Sequence, residues 1–310
     1  MLFGRGKKIQ EKEGKTVLIL DIESGSVGSA LARLGPDGSL KLLGEFRKHM
    51  PIRPHRGAES LAAETRELLQ EAMVRMSELA ARLRNGGNPS MGVVSNISTF
   101  MSPPWGKPNL ANGTPDFVPH MQEVLLQEAS PYFDAPAQFF THAGAAAQGM
   151  RALTPYEDKY LLCLVTHEIT ELVLVHNGVV AGHATIPHGM NLPLRTLKTH
   201  GGLSDAEARS ALHLRHPEGP LGSSSEHYAK EFKSAAKELF DAYAPDRVWV
   251  VSPAGEYFAR ALSHRHLSEL FPQGGVVRAL RPAQIHKHLG SPGGQDLFLV
   301  LDALYLRYTQ

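Results

Sequence analysis

Cysteine is almost missing from this chain of 310 residues: a single one, Cys163, sits inside an apolar run. That excludes an intrachain disulfide framework and any cysteine-based zinc cluster, and leaves Cys163 as a small core residue. Long apolar runs are missing too, since none approaches the ~20 residues a membrane span needs. An excess of charge of one sign is also absent: the net charge is +1, and the basic residues are dispersed along helical stretches. Nothing here has the electrostatic footprint of nucleic-acid binding, and no nucleic-acid partner is expected. The start, MLFGRGKKIQEKEGK, falls far short of the ~7–15-residue apolar core of a secretory signal. Residues 1–15 are expected to be a flexible basic lead-in to a cytoplasmic protein. The alternative is a weak membrane-surface anchor through Leu2, Phe3, Arg5, Lys7 and Lys8.

What is present is the composition of a globular protein, 42% hydrophobic and 20% charged, with length enough for two domains. Its main internal feature is an echo. Residues 17–46 begin with the apolar run Val17-Leu18-Ile19-Leu20, pass a polar corner, and make a second and third strand around Asp37-Gly38. Residues 160–186 repeat this with Leu161-Leu162-Cys163-Leu164 and Asn177-Gly178. Both read as strand meanders. An Asp leaving a buried strand into small hydroxyl residues is one way to build a phosphate site, with backbone N–H groups on the oxygens and a carboxylate toward a metal. Asp21 keeps that place in the first copy; a strand-end Asp bonding its own turn is the alternative account of it.

Between and after the meanders, Leu61, Leu68, Leu69, Met73, Met76, Leu79, Ala80 and Leu83 recur at three-and-four spacing and predict a helix over 59–83. It is stopped by Asn85-Gly86-Gly87-Asn88-Pro89. A strand is expected over 91–97, then a Pro/Gly/Asn-rich loop over 98–114 in which Met101 and Trp105 lid a core edge. Asp116 is placed to cap a helix carrying Phe117, Met121, Val124 and Leu125. A short strand over 138–141 leads into a helix over 142–153 whose small residues permit close packing. In the second half, Ser204 with Glu207 has capping-box spacing. A loop over 216–225 precedes a helix with Tyr228, Phe232, Ala235, Leu239 and Tyr243 as its buried stripe. Strands over 247–252 and 276–280 and a helix over 296–308 complete the chain. The halves should meet across a cleft near Thr154-Pro155, with lobe one at 16–153, holding a short insertion near 98–137, and lobe two at 154–310.

This succession of elements resembles the actin-like ATPase superfamily, and within it the bacterial branch containing FtsA and PilM. The resemblance implies an α/β, two-lobed fold built on a duplicated ribonuclease-H-like core, with a nucleotide cleft between the lobes. The family's first phosphate motif reads Asp, Ile, Gly, then small hydroxyl residues; here it stands as Asp21-Ile22-Glu23-Ser24-Gly25-Ser26-Val27. A Glu replaces the glycine, which sets a side chain and a negative charge where backbone would approach phosphate. The second motif aligns as Leu164-Val165-Thr166-His167-Glu168-Ile169-Thr170-Glu171, with Leu164 where the family has its metal-side Asp. The third, nucleoside-side motif keeps one glycine, in Pro253-Ala254-Gly255. The vestigial cleft implied by the resemblance is therefore lined by Asp21, Ser24, Gly25, Ser26, Thr166, His167, Thr170 and Gly255.

Three functions follow as expectations. The first is a non-catalytic or weakly nucleotide-binding scaffold, a cytoplasmic platform at the inner face of the cell membrane that binds a peptide or small domain of a membrane-complex protein, in pilus assembly or cell division. The second is an active ATPase of the same fold, and the third a sugar-kinase-type phosphotransferase. Loss of a metal-side carboxylate argues against phosphoryl transfer. The residues fix no cofactor, and ATP with magnesium, peripheral membrane association and self-association are left open by the resemblance. No metal site is expected from the 16 histidines: His264 and His266, like His286 and His288, are two apart and would point to different helix faces. His167 is the exception, placed to fill the vacated phosphate space. The Gly25-x-x-Gly28 spacing lacks the Lys-Ser/Thr of a P-loop.

Overall fold

The computed structural model describes residues 14–86, 89–111, 114–214, 219–263, 267, 270, 275–286, 288–289 and 294–309. The expectations for residues 1–13 and for His264 and His266 lie outside these.

Each meander folds as expected. The first is β1 (Lys15–Ile22), β2 (Ser26–Leu34) and β3 (Leu40–His49); the second is β8 (Lys159–Val165), β9 (Thr170–His176) and β10 (Val179–Ile186). The hairpin between β9 and β10 turns on Asn177 at φ 52° and Gly178 at φ 76°, the left-handed pair that matches strand twist in a tight hairpin. Parallel strands then extend both units: β4 (Val94–Met101) and β7 (Ala137–Thr141) in the first, β11 (Arg247–Val251) and β12 (Val276–Ala279) in the second. The sheet orders are β3-β2-β1-β4-β7 and β10-β9-β8-β11-β12. The two are topologically identical and separate, which places the meanders in equivalent positions. β1 and β8 are central and almost wholly buried, as unbroken apolar runs demand.

The helices pack in three layers around these sheets. On the outer face of the first lie α1 (Ala58–Asn85) and α2 (Pro119–Ala129), sharing a core with Leu18, Leu20 and Ile97. On the outer face of the second lie α4 (Asn191–Gly201), α5 (Asp205–Leu214), α6 (Gly222–Tyr243) and α7 (Gly255–Ser263). Between the sheets run α3 (His142–Leu153) and α9 (Leu297–Thr309), in one apolar cluster with Ile19, Leu162 and Trp249. The small face of α3 serves that contact: a Cβ on Gly149 would meet Leu301 Cδ2 of α9 at 3.1 Å. α9 follows β12 in sequence but packs on α3 and the first sheet. A short α8 (Pro282–His286) precedes it. Among the described residues, no helix is long and apolar enough to cross a membrane.

Several boundaries depart from expectation. The strand predicted over 91–97 begins at Val94, because residues 89–92 form a 3-10 turn pressed on α1; a Cβ on Gly92 would lie 2.2 Å from the Ala80 carbonyl oxygen. Asp116 does not cap a helix. It pairs in β6 (Asp116–Phe117) with β5 (Gly106–Lys107), and Pro119 opens α2, fixing φ where the N–H would go unpaired anyway. α6 begins at Gly222, inside the predicted loop, and its buried stripe takes Ala236 and Phe240 while Tyr243 is exposed. The Ser204–Glu207 box forms: Glu207 Oε2 accepts from Ser204 N at 2.9 Å and Ser204 Oγ accepts from Glu207 N at 3.3 Å. Trp105 is buried over the first core, its Nε1 donating to the Glu23 carbonyl at 3.2 Å.

Candidate functional site

The corner after β1 and the corner after β8 face each other across the lobe boundary. Both are short turns closed by their own backbone, Glu23 N to the Ser26 carbonyl at 3.0 Å and Thr166 N to the Ile169 carbonyl at 3.1 Å. Six of the eight sequence-predicted residues, Asp21, Ser24, Gly25, Ser26, Thr166 and His167, come together there and are buried. Thr166 gives its hydroxyl proton to the Ile169 carbonyl at 2.7 Å, so the Ser24 hydroxyl donates to Thr166 Oγ1 at 2.9 Å. Ser24 Oγ in turn accepts from Glu168 N at 3.0 Å. The Ser24 hydroxyl is thus spent on the opposite lobe, and those of Thr166 and Ser26 on partners within their own.

Thr170 and Gly255 are elsewhere. The Thr170 hydroxyl donates to the His188 carbonyl at 2.7 Å and lies 3.1 Å from the Tyr228 hydroxyl, within the second lobe's core. Gly255 opens α7 and borders a cavity of about 640 Å³ between the lobes, walled also by Ser252, Glu256, Arg281, His49 and Asp296. Leu164, where the resemblance puts a metal-side Asp, is fully buried in the apolar cluster between the sheets.

Sequence reasoning missed the group at the centre, Arg47 of β3. Its Nη2 bonds Asp21, its Nε bonds Asp296, and its Nη1 donates to Glu23 Oε1 and Ser26 Oγ, each at 2.8 Å. Gly28 is what admits it. The two residues are paired in the β2–β3 register, and a Cβ on Gly28 would sit 2.6 Å from Arg47 Nη2. A bare glycine inside a strand marking a close approach is the signal that could have found this cation. Asp296 holds a second role at the start of α9, accepting from Phe298 N at 3.1 Å and Leu299 N at 3.2 Å.

The electrostatics are those of a buried, acid-rich knot whose Arg47 and Asp296 border the cavity between the lobes. Burial pushes the Asp21 carboxyl up to about 6 against the pull of Arg47, and raises Glu23 for the same reason. A fourth carboxyl, Asp302 of α9, is fully buried with neither oxygen hydrogen-bonded, and burial together with the charge on Asp21 pushes it well above the usual range. Burial would raise Asp296 as well, but Arg47 and the two helix N–H groups hold it below the ordinary value. His167 is neutral: burial first, then Arg209 and Arg47, lower it well below the usual imidazole range. Its Nδ1 lies 3.2 Å from Glu23 Oε2, and its ring centroid is 4.8 Å from that of His49.

The fit of a metal-bound polyphosphate to this corner is poor. Such a ligand wants backbone N–H groups, hydroxyl donors and an uncommitted carboxylate for the metal. Here Ser26 and Arg47 are bound to Glu23, Asp21 is bound to Arg47, and Ser24 is bound to Thr166. His167 covers Gly25. An incoming phosphate would meet the Glu23 carboxylate. Among the described residues, no group of three or more His, Cys, Asp or Glu side chains could hold a metal ion.

No protein-family model matches the chain, and no curated protein matches it. Solved structures do. Over 95% of its length it is similar to a chain of the PilM–PilN type IV pilus biogenesis complex, covering 98% of that chain at TM-score 0.61 and 15% identity. It is also similar, over 96% of its length, to the ethanolamine utilization protein EutJ from Carboxydothermus hydrogenoformans, covering 91% of it at TM-score 0.56 and 12% identity. A transcriptional regulator of the ROK family matches 95% of the chain at TM-score 0.52 and 11% identity, with 79% of the regulator covered. With its duplicated sheets, the chain has the two-lobed, actin-like α/β fold.

Proposed function

We propose that this chain is a non-catalytic actin-like platform of the PilM-like branch, which docks a peptide or small domain of a membrane-associated assembly at the inner face of the cell membrane. The observation that carries it is the Glu23–Arg47–Asp21 knot. Chemistry on a phosphoryl group needs an open corner where a metal, a carboxylate and donors converge on the transferring oxygens, and here those groups are turned on one another.

Docking has a separate place. The edge strand of the first sheet, β7, borders a groove of about 530 Å³ between the core and the insertion, lined by Pro108, Leu110, Phe139, Phe140, Val180 and Tyr305. An edge strand beside an aromatic groove is how an extended apolar peptide is taken, through main-chain bonds and alternate side-chain pockets. Similarity along nearly the whole chain to a component of a two-protein pilus biogenesis complex supports a partner of that kind.

The test is fluorescence anisotropy with labelled peptides copying the cytoplasmic ends of pilus-assembly and cell-division membrane proteins, on wild type and Leu110→Asp. Leu110 is 49% exposed, so the variant alters the groove without touching the core. Binding by an apolar peptide, lost in Leu110→Asp, is expected. Absence of binding by every peptide, or binding indifferent to the substitution, would overturn the docking site. A second reading, nucleotide retained without turnover, draws on the cavity beside Gly255, and a thermal-shift titration with ATP and magnesium decides it.

A further inference from the structure

The stretch after β3 leaves the first lobe and fastens onto the second. Ile52 is 5% exposed, and the apolar cluster that buries it is that of the second lobe, with Leu194, Leu197 and Leu212. Its backbone is gripped on both sides: Ile52 N donates to Asp205 Oδ2 at 2.7 Å, and the Ile52 carbonyl accepts from Lys198 Nζ at 3.3 Å. The carbonyls on either side are taken as well, Met50 by Arg209 at 3.0 Å and Arg53 by Arg195 Nε at 2.6 Å. Arg56 completes the attachment. Its buried guanidinium donates to Glu168 Oε1 at 3.1 Å, to the Pro51 carbonyl at 2.7 Å and to Glu64 Oε2 at 3.1 Å, and so joins the corner after β8 to α1.

We propose that residues 50–56 are a built-in clasp, which with the bonded corners holds the two lobes closed with no ligand between them. The chemistry of the corner agrees. A serine hydroxyl, an imidazole and a guanidinium converging on one anionic group is how a protein grips a phosphate oxygen; here the anion they grip is Glu23, a resident side chain. Contacts that a bridging ligand would supply are already made by the chain across the lobe boundary. Closure is therefore a fixed property of the fold, and the docking groove beside β7 is presented in one state whether or not nucleotide is at hand.

The inference does not depend on the platform reading, because a chain that bound no peptide could still be clasped. Hydrogen exchange of the full chain, read by mass spectrometry, reports the clasp alone. The expected result is slow exchange at the Ile52 and Glu168 amides, unchanged by ATP with magnesium. Ile52→Ser removes the buried anchor and should speed both amides by about tenfold or more while the central strand β8 stays protected. If protection of β8 is lost as well, the pair Arg56→Gln with Arg195→Gln, which leaves the apolar core intact, replaces it with the same expectation. Wild-type amides at 52 and 168 exchanging as fast as the exposed turn at 36–38, slowing on addition of ATP with magnesium, or staying slow in both sets of variants would each overturn the clasp.

Discussion

Gly25 of the first lobe and His167 of the second are in such close apposition that a Cβ on the glycine would lie 2.4 Å from the His167 Cβ and 3.0 Å from its Cγ. The histidine thus occupies the face of the turn that a ligand would need, and the glycine is required for the lobes to meet rather than for a backbone conformation of its own.

Gly25→Ala is expected to destabilise the chain by about 1–3 kcal/mol, the usual cost of overpacking a closed contact. The His167 Cβ is tied to the backbone and cannot swing aside as a long side chain would. Gly57→Ala is the control, because nothing lies within 4 Å of a Cβ there. Urea denaturation of both variants checks it. Equal stabilities would mean that the two corners do not touch in solution.

Asp21→Asn should reveal a pH-dependent difference from wild type. The folded Asp21 carboxyl is raised from 3.8 to about 6, chiefly by burial. A folded value above the unfolded one stabilises fully below the unfolded pKa, and that stability is lost as pH rises through the folded pKa. Two units correspond to about 3 kcal/mol. The unfolding free energy of wild type relative to Asp21→Asn should therefore fall by up to that amount between about pH 4 and pH 6 and level off above. His49, lowered to about 2 by burial and then by His167 and Arg209, acts in the opposite sense, its contribution being lost as pH falls below 6.5, but it is common to both proteins and largely cancels. A difference that stays constant with pH would show that Asp21 keeps an ordinary pKa.

Arg47→Met should cost about 3–5 kcal/mol, because it leaves buried carboxylates with no cation. Adding Glu23→Gln to that variant removes one of the stranded charges and is expected to recover part of the loss. The double-mutant cycle reads the coupling directly. Additive effects would mean that the two side chains do not share a bond.

Why some of this was legible in the sequence and some was not comes down to range. The meanders announced themselves through unbroken runs such as Val17-Leu18-Ile19-Leu20 and through Asn177-Gly178, whose conformational demand is local. Asp21, Ser24 and Thr166 were legible because each stands at the end of a buried strand or just beyond it. Arg47 and Asp296 were not: they are 249 residues apart and bond each other only after α9 has returned to the first sheet. Asp302 lies in an apolar helical stretch whose pattern names no partner, and only the fold brings it under the charge of Asp21 and Arg47. Ile52 was hidden in a stretch of prolines and arginines, where a single apolar residue carries no periodicity. The Gly25-x-x-Gly28 spacing is no nucleotide signature by itself, and the use of Gly28, to let a guanidinium lie against a strand, depends on a partner strand that the spacing does not reveal.

Wild-type protein is expected to release no phosphate from ATP above the buffer rate, and Asp21→Ala should not change that. Glu23 presents a carboxylate in the corner that the resemblance gives to phosphate, Arg47 neutralises Asp21, and Leu164 supplies a hydrocarbon where the resemblance puts a second metal-side carboxylate. Restoring the second carboxylate alone is a poor test, since an unpaired charge at a fully buried leucine would cost several kcal/mol by itself. Emptying the corner is a better one: Glu23→Gly with His167→Gly removes the resident anion and the ring over Gly25, and ATP with magnesium should then raise the variant's stability, by about 2.7 kcal/mol at ~100 times the dissociation constant. Gain of binding without hydrolysis in the double variant is the expected outcome. Robust hydrolysis by wild type that Asp21→Ala abolishes would show instead that the knot opens in solution and that the chain works as an ATPase.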